Sequence, residues 1–488
     1  MKNQKNIIKM ENCFNSRSSI FTMSNFMIKC TAKTLFEKLI FGLILINLFF
    51  NLGCKKFVEV DTLKDQLLSS QVFNDDGSAN SAILGIYTSN FGTQSIAINA
   101  MSSLYSDDVT FQYPVQDYLN FQNNTVDPNG PFLPWEDEYK MIYNANSVIE
   151  GLQKSTGMTN IKREQYLAEA KFLRAYAYFY LINLFGDVPL LTTTDVKITS
   201  IAVRTPTIQV YAQIVNDLLA AQADLPSDYG LSSGNRTRAN KWAATALLAR
   251  VYLYQKKWQE AESQSSALIG SNLYSLLNGP NGILTKNNSE AILQWDRYSG
   301  QPFDLFDYFT PESNTSTPYT VCSNFLLNAF ELGDNRKSTW TYPLVYEGNN
   351  YYAAFKFTTN NTTVVSELET PFRLAEQYLI RAESRAMQNN FTGAISDINL
   401  IRLKHGGLTI PVSVPPSQTA TLDIILHERQ VELFTEGAHR WFDLKRTGRL
   451  DAVMQVEKPA FWRSSAALWP IPSPEIRLNP NLHQNPGY

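Results

Sequence analysis

The feature that most constrains the fold is a long helical pattern over residues 163–185. Side chains of one face recur there at steps of three and four, at Leu167, Ala170, Leu173, Arg174, Ala177, Leu181 and Leu184. This spacing places them on one side of an α-helix. Gly186 and Pro189 follow, and a glycine followed by a proline is a typical helix end. The pattern predicts a mainly α-helical protein.

Similar spacing predicts further helices at 78–90, 136–152, 207–225, 239–255, 258–270, 373–388, 391–404 and 422–434. Neighbouring pairs carry small residues where two antiparallel helices must approach closely, for example Ala243 with Ala261 and Ala382 with Ala394. Tetratricopeptide repeats follow this logic at a regular period. Here the spacing is irregular, so we predict irregular tetratricopeptide-like helical pairs that carry a loop-rich, aromatic-rich insertion region.

Two stretches interrupt the helical pattern. Residues 105–135 are rich in Asp, Asn, Gln, Pro and aromatic residues. In residues 271–370 turn residues multiply, and 17 residues in 100 are aromatic compared with 12% overall. We therefore divide the chain into four parts, which are an N-terminal segment (1–53), a helical region (54–270), an insertion region (271–370) and a C-terminal helical region with its tail (371–488).

The N-terminal segment has the pattern of an export signal. Lys29, Lys33 and Lys38 precede a twelve-residue apolar run, 39–50, which only Gly42 and Asn47 interrupt. Such a run is shorter than the roughly 18–20 residues that cross a bilayer as a helix. A basic region, a short apolar region and a small residue before the cleavage point are typical of a signal peptide.

Gly53 and Cys54 at the end of this segment indicate a bacterial lipoprotein signal, in which cleavage before Cys54 is followed by acylation of its thiol. Asn51 stands where such signals usually have leucine, and the alternative is an ordinary secretory signal with an incidental cysteine. Because the signal is long, we expect translation to start at Met23 or Met27. A multiply acylated Cys54 would anchor the protein durably in a membrane.

Charge and cysteine content exclude several classes of protein. Without residues 1–53 the chain has 35 basic and 43 acidic side chains, so nothing in its charge favours binding to nucleic acid. Cys13 and Cys30 leave with the signal and Cys54 carries lipid, which leaves Cys322 alone. We expect a buried free thiol there and no intramolecular disulfide.

Five segments together resemble one protein family. They are AEAKFLRAYAYFYLINLFGDVPL (168–190), RANKWAATALLARVYLYQKKWQEAE (238–262), FRLAEQYLIRAES (372–384), ILHERQVELFTEGAHRWFDLKRTG (425–448) and LWPIPSPEIRLNPNLHQNPGY (468–488). In this order they are similar to the SusD/RagB family of Bacteroidetes outer-membrane lipoproteins. The resemblance implies a helical core of tetratricopeptide-like pairs with a loop-rich second part. It also implies glycan binding at the cell surface and a partner, a SusC-like TonB-dependent outer-membrane transporter that the protein covers as a lid.

No catalytic motif is evident, and we expect neither enzyme activity nor a cofactor or metal. The chain has no glycine-rich phosphate loop, no G-x-S-x-G and no EF-hand loop. His427 and Glu428 do not form a zinc motif, because Val431 stands where the second histidine would fall. The charged cluster of Glu428, Arg429, Glu432, Arg440, Trp441, Asp443 and Arg446 could form a ligand site, but we favour a structural ion-pair network.

Sugars present flat C–H faces and a rim of hydroxyl groups, so a glycan site needs exposed aromatic rings beside polar side chains. Both interrupting stretches offer this combination. The candidate glycan-binding residues are Tyr105, Asp107, Asp108 and Tyr113 in the first stretch, and Trp295, Asp296, Arg297, Tyr298 and Trp340 in the second. For each aromatic ring the alternative is burial in a core.

Three functions remain open at this point. The favoured one is a surface glycan-binding lipoprotein that delivers oligosaccharide to the transporter. The alternatives are a lipid-anchored glycan-degrading enzyme, since paired carboxylates are common in the sequence, and a helical-repeat scaffold without a small ligand.

The lipoprotein signal predicts that substitution of one residue removes the anchor. Cys54→Ala should abolish incorporation of a fatty-acid analogue in metabolic labelling, because Cys54 is the acceptor thiol at the predicted cleavage site. Cys322→Ala is the matched control and should keep the label. Label that persists in the Cys54 variant would contradict the assignment.

Overall fold

The computed structural model describes residues 72–88, 93–296, 304–311, 319–359, 366–411 and 417–488. The signal segment and Cys54 lie outside the described residues, and the lipid anchor remains a prediction. The structure is mainly helical, which confirms the predicted fold class. Cys322 is a buried free thiol.

The longer helices are α1 (Asp76–Thr88), α2 (Trp135–Lys154), α3 (Asn160–Phe185), α4 (Thr207–Asp224), α5 (Lys241–Tyr254), α6 (Trp258–Ile269), α7 (Leu374–Met387), α8 (Phe391–His405), α9 (Gln418–Leu433), α10 (His439–Arg446) and α11 (Leu450–Glu457). Short α-helices are Thr93–Ser95, Ser102–Tyr105, Gln116–Gln122, Val196–Thr199, Asp304–Phe309, Asn324–Ala329, Asn335–Trp340 and Ser473–Leu478. A π-helical turn covers Ile96–Met101, and 3₁₀ turns cover Gly230–Ser232 and Ser464–Ala467.

Helix α3 is the centre of the fold. It ends where the sequence predicts, because Gly186 adopts a positive φ of 77° and its N–H donates to the Ile182 carbonyl at 3.1 Å. The sequence pattern indicates one apolar face, yet nearly every side chain from Tyr166 onward is buried. A helix that is buried on all sides must be surrounded by other elements.

From α2 to α8, each long helix packs against the next one along the chain. Small side chains lie at these contacts, and Ala170, Ala177, Ala243 and Ala382 are completely buried. Helices α6 and α7 pack against each other although residues 270–373 separate them in sequence. The helical array is therefore continuous, and the insertion region projects from the junction between α6 and α7.

The strands form three antiparallel pairs. They are β1 (Val109–Phe111), β2 (Ala291–Trp295), β3 (Thr320–Cys322), β4 (Thr341–Tyr346), β5 (Asn349–Ala354) and β6 (Glu369–Arg373). The pairs are β1 with β3, β2 with β6, and β4 with β5. The β1–β3 pair, hereafter the ribbon, places Val109 opposite Cys322 and Phe111 opposite Thr320. It joins the stretch 105–135 to the insertion region.

A buried charge network holds the insertion region against α8 and α9. Its centre is Glu432 on α9, which accepts from Arg373 Nη1 at 2.6 Å and Arg336 Nη1 at 3.0 Å, and lies 2.9 Å from His405 Nδ1. Arg373 also pairs with Glu436 at 2.7 Å and with Glu290 at 3.0 Å.

Other members of the predicted charged cluster are paired as well: Glu428 with Arg336 at 2.6 Å, and Asp443 with Arg429 at 2.6 Å and Arg446 at 2.8 Å. These buried pairs confirm the structural interpretation of the cluster.

Removal of one charge from this network should destabilise the fold strongly. Glu432→Gln leaves two arginines and a histidine without their shared carboxylate, and breaking a buried ion pair in this way typically costs about 3–5 kcal/mol. The free energy of unfolding, measured by urea denaturation, should fall by that order.

Glu331→Gln is the control for this variant. Glu331 pairs with Arg402 at 3.0 Å, but its side chain is 38% exposed, so the expected loss is at most about 1 kcal/mol. Equal losses in the two variants would mean that the network does not have the role described.

Candidate binding site

The ribbon brings the two aromatic-rich stretches together at one surface. At its open end, Gln112 N–H donates to the Tyr319 carbonyl at 3.0 Å, which extends the pairing beyond Phe111 and Thr320. Gln122 stabilises the same strand from the following helix, because its side-chain oxygen accepts from the Phe111 N–H at 2.6 Å. The backbone that carries the aromatic side chains is therefore held on both edges.

A group of five aromatic residues, hereafter the tyrosine surface, lies at this end of the ribbon. Its members are Phe111, Tyr113, Tyr118, Tyr308 and Tyr319. Phe111 is buried and stacks on Tyr118, with ring centroids 4.4 Å apart. The ring centroid of Tyr319 lies 5.6 Å from that of Tyr113 and 6.0 Å from that of Tyr308. Phe111 thus supports tyrosines that reach the surface, and Tyr319 is 48% exposed.

Tyrosine hydroxyl groups lie among these rings. The hydroxyls of Tyr118 and Tyr308 are hydrogen-bonded at 2.9 Å. Aromatic faces beside hydroxyl groups can receive the apolar face of a sugar ring and hydrogen-bond its hydroxyls.

The structure corrects the expectation that the two tryptophans are exposed. Trp295 is only 3% exposed, lies at the end of β2 and packs against Tyr176, whose hydroxyl lies 3.3 Å from its indole nitrogen. Trp340 is 1% exposed and its indole N–H donates to the Pro280 carbonyl at 2.7 Å. All five side chains of β2 are buried, which means that both faces of the strand are covered. Alternation of side chains between the two faces therefore exposes no aromatic ring.

Tyr105, Asp107 and Asp108 are also buried, which corrects their assignment to an exposed site. The Tyr105 hydroxyl donates to the Ala466 carbonyl at 2.8 Å. Asp107 accepts from Arg440 Nε at 2.7 Å and Nη2 at 2.5 Å. Burial and the neighbouring Asp107 carboxylate raise the pKa of Asp108 to about 7. These side chains attach the first stretch to the C-terminal helices.

The remaining candidates have different positions. Tyr113 is half-buried within the tyrosine surface, so it keeps its proposed role. Asp296 is half-buried and pairs with Lys286 at 2.9 Å. Arg297 and Tyr298 lie outside the described residues.

Sequence reasoning missed Tyr118, Tyr308 and Tyr319. Tyr308 and Tyr319 flank the polar run PESNTSTP in 311–318, and an aromatic on each side of a polar turn was the available signal. This signal is weak, because buried aromatic residues of the same region have similar neighbours in the sequence. The pairing of β1 with β3 is what brings these side chains to Tyr113.

One group of side chains has the composition of a metal site. Glu290, His405 and Glu432 are buried, and their potential ligand atoms lie within 4.8 Å of one another. Burial lowers the pKa of His405, but the carboxylates of Glu432 and Glu290 outweigh this and raise it to about 10. A protonated imidazole cannot ligate a metal, and Arg373 pairs with both carboxylates. The group belongs to the charge network.

Comparisons with known proteins agree on one protein family. A family model described as "Starch-binding associating with outer membrane" matches residues 57–253, and a model of the SusD family matches residues 328–488. None of the helices in the described part of the chain has both the length and the apolar character needed to span a bilayer.

Individual relatives align over most of the chain. A SusD-like protein, P25, of Formosa agariphila is 24% identical over 90% of this chain and 98% of its own length. The starch-binding protein SusD of Bacteroides thetaiotaomicron is 25% identical over 69% of this chain and 75% of its own. The solved structure of a laminarin-binding SusD-like protein is 25% identical, covers 85% of this chain and 98% of that one, and has a TM-score of 0.70. The chain belongs to the SusD/RagB family.

Proposed function

We propose that this protein binds glycans at the tyrosine surface and delivers oligosaccharide to a SusC-like TonB-dependent transporter in the outer membrane. The observation that carries the proposal is the cluster of tyrosines around Tyr319, with the hydrogen-bonded hydroxyls of Tyr118 and Tyr308 in the same group. A relative is named for starch binding and a solved neighbour for laminarin binding. Both names describe binding and neither describes catalysis, which supports a non-enzymatic role.

The same comparisons and the sequence support a location at the outer membrane. The description of the N-terminal family model links it to the outer membrane. The predicted acylation of Cys54 would supply the attachment, and we propose that the helical domain faces the exterior of the cell. Glycan capture outside the cell requires this orientation.

Loss of one exposed ring should weaken glycan binding without unfolding the protein. Tyr319→Ala should reduce the affinity for laminarin or soluble starch by roughly three- to tenfold, the effect of one aromatic contact. Calorimetry and affinity electrophoresis on the domain without its signal segment measure this change. The melting temperature should stay the same, because the side chain is 48% exposed.

Tyr143→Ala is the matched control, since Tyr143 is a 53% exposed tyrosine on α2, outside the tyrosine surface. It should retain full affinity. Equal binding by wild type and both variants would contradict the assignment of the site. A glycan that is shortened during incubation would favour the enzymatic alternative.

The transporter contact should not require glycan, because a lid must hold its partner with or without sugar. Tagged protein should therefore co-purify a TonB-dependent transporter from membranes of its native host, with equal yield in the presence and absence of starch or laminarin. The Tyr319→Ala variant should give the same yield. Recovery only when glycan is present would contradict this step.

A further inference from the structure

The ribbon has a second end, and a pocket lies there. Whereas the tyrosine surface begins at Phe111, the pocket begins at Val109 and Ser323, on the side where the chain enters β1 and leaves β3. Its volume is about 220 Å³. Because one water occupies roughly 30 Å³ in the liquid, this space suits a single small ligand. It is too small for an oligosaccharide.

The floor of the pocket contains a carboxyl group with spare capacity to accept hydrogen bonds. Glu457, at the end of α11, has a side chain that is only 7% exposed. One of its oxygens lies 4.0 Å from Arg440 Nη2. The carboxyl group also contacts the Asp107 side chain, to which it donates a hydrogen bond when it is protonated. A protonated carboxyl group keeps oxygen lone pairs that can accept a hydrogen bond from a ligand hydroxyl.

The charges around this floor are already balanced. Arg440 binds Asp107 through two nitrogens, at 2.7 and 2.5 Å. Lys458 Nζ donates to the carbonyls of Leu104 and Tyr105 at 2.7 and 3.0 Å. Burial and the Asp107 carboxylate raise the pKa of Glu457 to about 10, so its carboxyl group is neutral at physiological pH. The pocket therefore favours an uncharged ligand.

The walls combine exposed aromatic rings with hydroxyl and amide groups. Phe461 is 46% exposed and Phe325 is 41% exposed, and both line the pocket. Thr110 and Asn123 line it as well. An aromatic face beside polar groups can accept the C–H face of a pyranose while its hydroxyls are hydrogen-bonded. The same chemistry is proposed for the tyrosine surface, but here it lies in a recess that is partly open to solvent.

We propose that this pocket is a second carbohydrate site, which holds one neutral monosaccharide unit of the glycan bound at the tyrosine surface. The inference rests on the proposed function. Tyr113 is six positions after Asp107, a separation of at most about 20 Å even if the chain between them were fully extended. An oligosaccharide that lies along the ribbon can therefore contact both sites, with one end unit in the pocket.

Variants that fill or open the pocket test this proposal. Ala460→Trp places a large side chain at the exposed rim, and Phe461→Ala removes a wall. Each should weaken the binding of laminarihexaose or maltoheptaose by roughly three- to tenfold, as measured by calorimetry. Val456→Trp is the control, because Val456 is 70% exposed on the same helix as Glu457 but does not line the pocket.

Glucose alone provides an independent measurement. Saturation-transfer NMR should detect glucose on the wild type and on Tyr319→Ala, and the signal should disappear with Ala460→Trp. Unchanged binding of both oligosaccharides by Ala460→Trp and Phe461→Ala would overturn the second site, while a weakened Tyr319→Ala would still support the proposed function. Weak binding by Ala460→Trp with an unaffected Tyr319→Ala would support the pocket and contradict the tyrosine surface. A wild type that binds neither oligosaccharide nor glucose would contradict both.

Discussion

The burial of charge around Glu432 constrains the rest of this structure. The Glu432 carboxylate on α9 pairs with Arg373 from β6, with Arg336 from a short helix of the insertion region and with His405 from α8. Charges removed from water are stable only when their partners are in place. An arrangement of the insertion region in which an arginine misses its carboxylate would leave a buried charge unpaired, at a cost of about 3–5 kcal/mol. Apolar packing alone would be less selective, because many arrangements bury similar areas.

Buried ion pairs and hydrogen bonds also position the candidate sites. Arg440 on α10 holds Asp107 just before β1, and the Ser323 N–H donates to the Asp108 carbonyl at 3.0 Å just after β3. The end of the ribbon at Val109 and Cys322 is thus attached to the C-terminal helices, and the end at Phe111 and Thr320 carries the tyrosine surface. A binding surface on a fixed ribbon loses little conformational freedom when a ligand arrives, which favours affinity. The residues that the sequence indicates as ligands, Asp107 and Asp108, instead maintain this support.

The helical part of the fold could be predicted closely from the sequence. Helix α3 ends at Phe185 with a positive φ at Gly186, and α8 spans Phe391–His405, where the pattern predicted 391–404. The exposure of aromatic side chains could not be predicted in the same way. Trp295 lies at the end of β2 and Tyr319 directly before β3, yet the indole is in the core and the phenol is at the surface. Local sequence contains no information about which strand will cover a given ring.

The sequence by itself determined the positions of helices α1 to α9 to within four residues and the burial of their alanines, because these depend on the spacing of residues within one segment. It also indicated the family, through five such segments in order. It also determined that the charged cluster of α9 and α10 would be paired, since buried charges require partners. The tertiary structure alone decided which aromatic residues reach the surface. Tyr113 and Tyr319 are 206 positions apart, and only the pairing of β1 with β3 brings them within 5.6 Å. Contacts across such a separation depend on how the insertion region docks, which is a property of the whole fold.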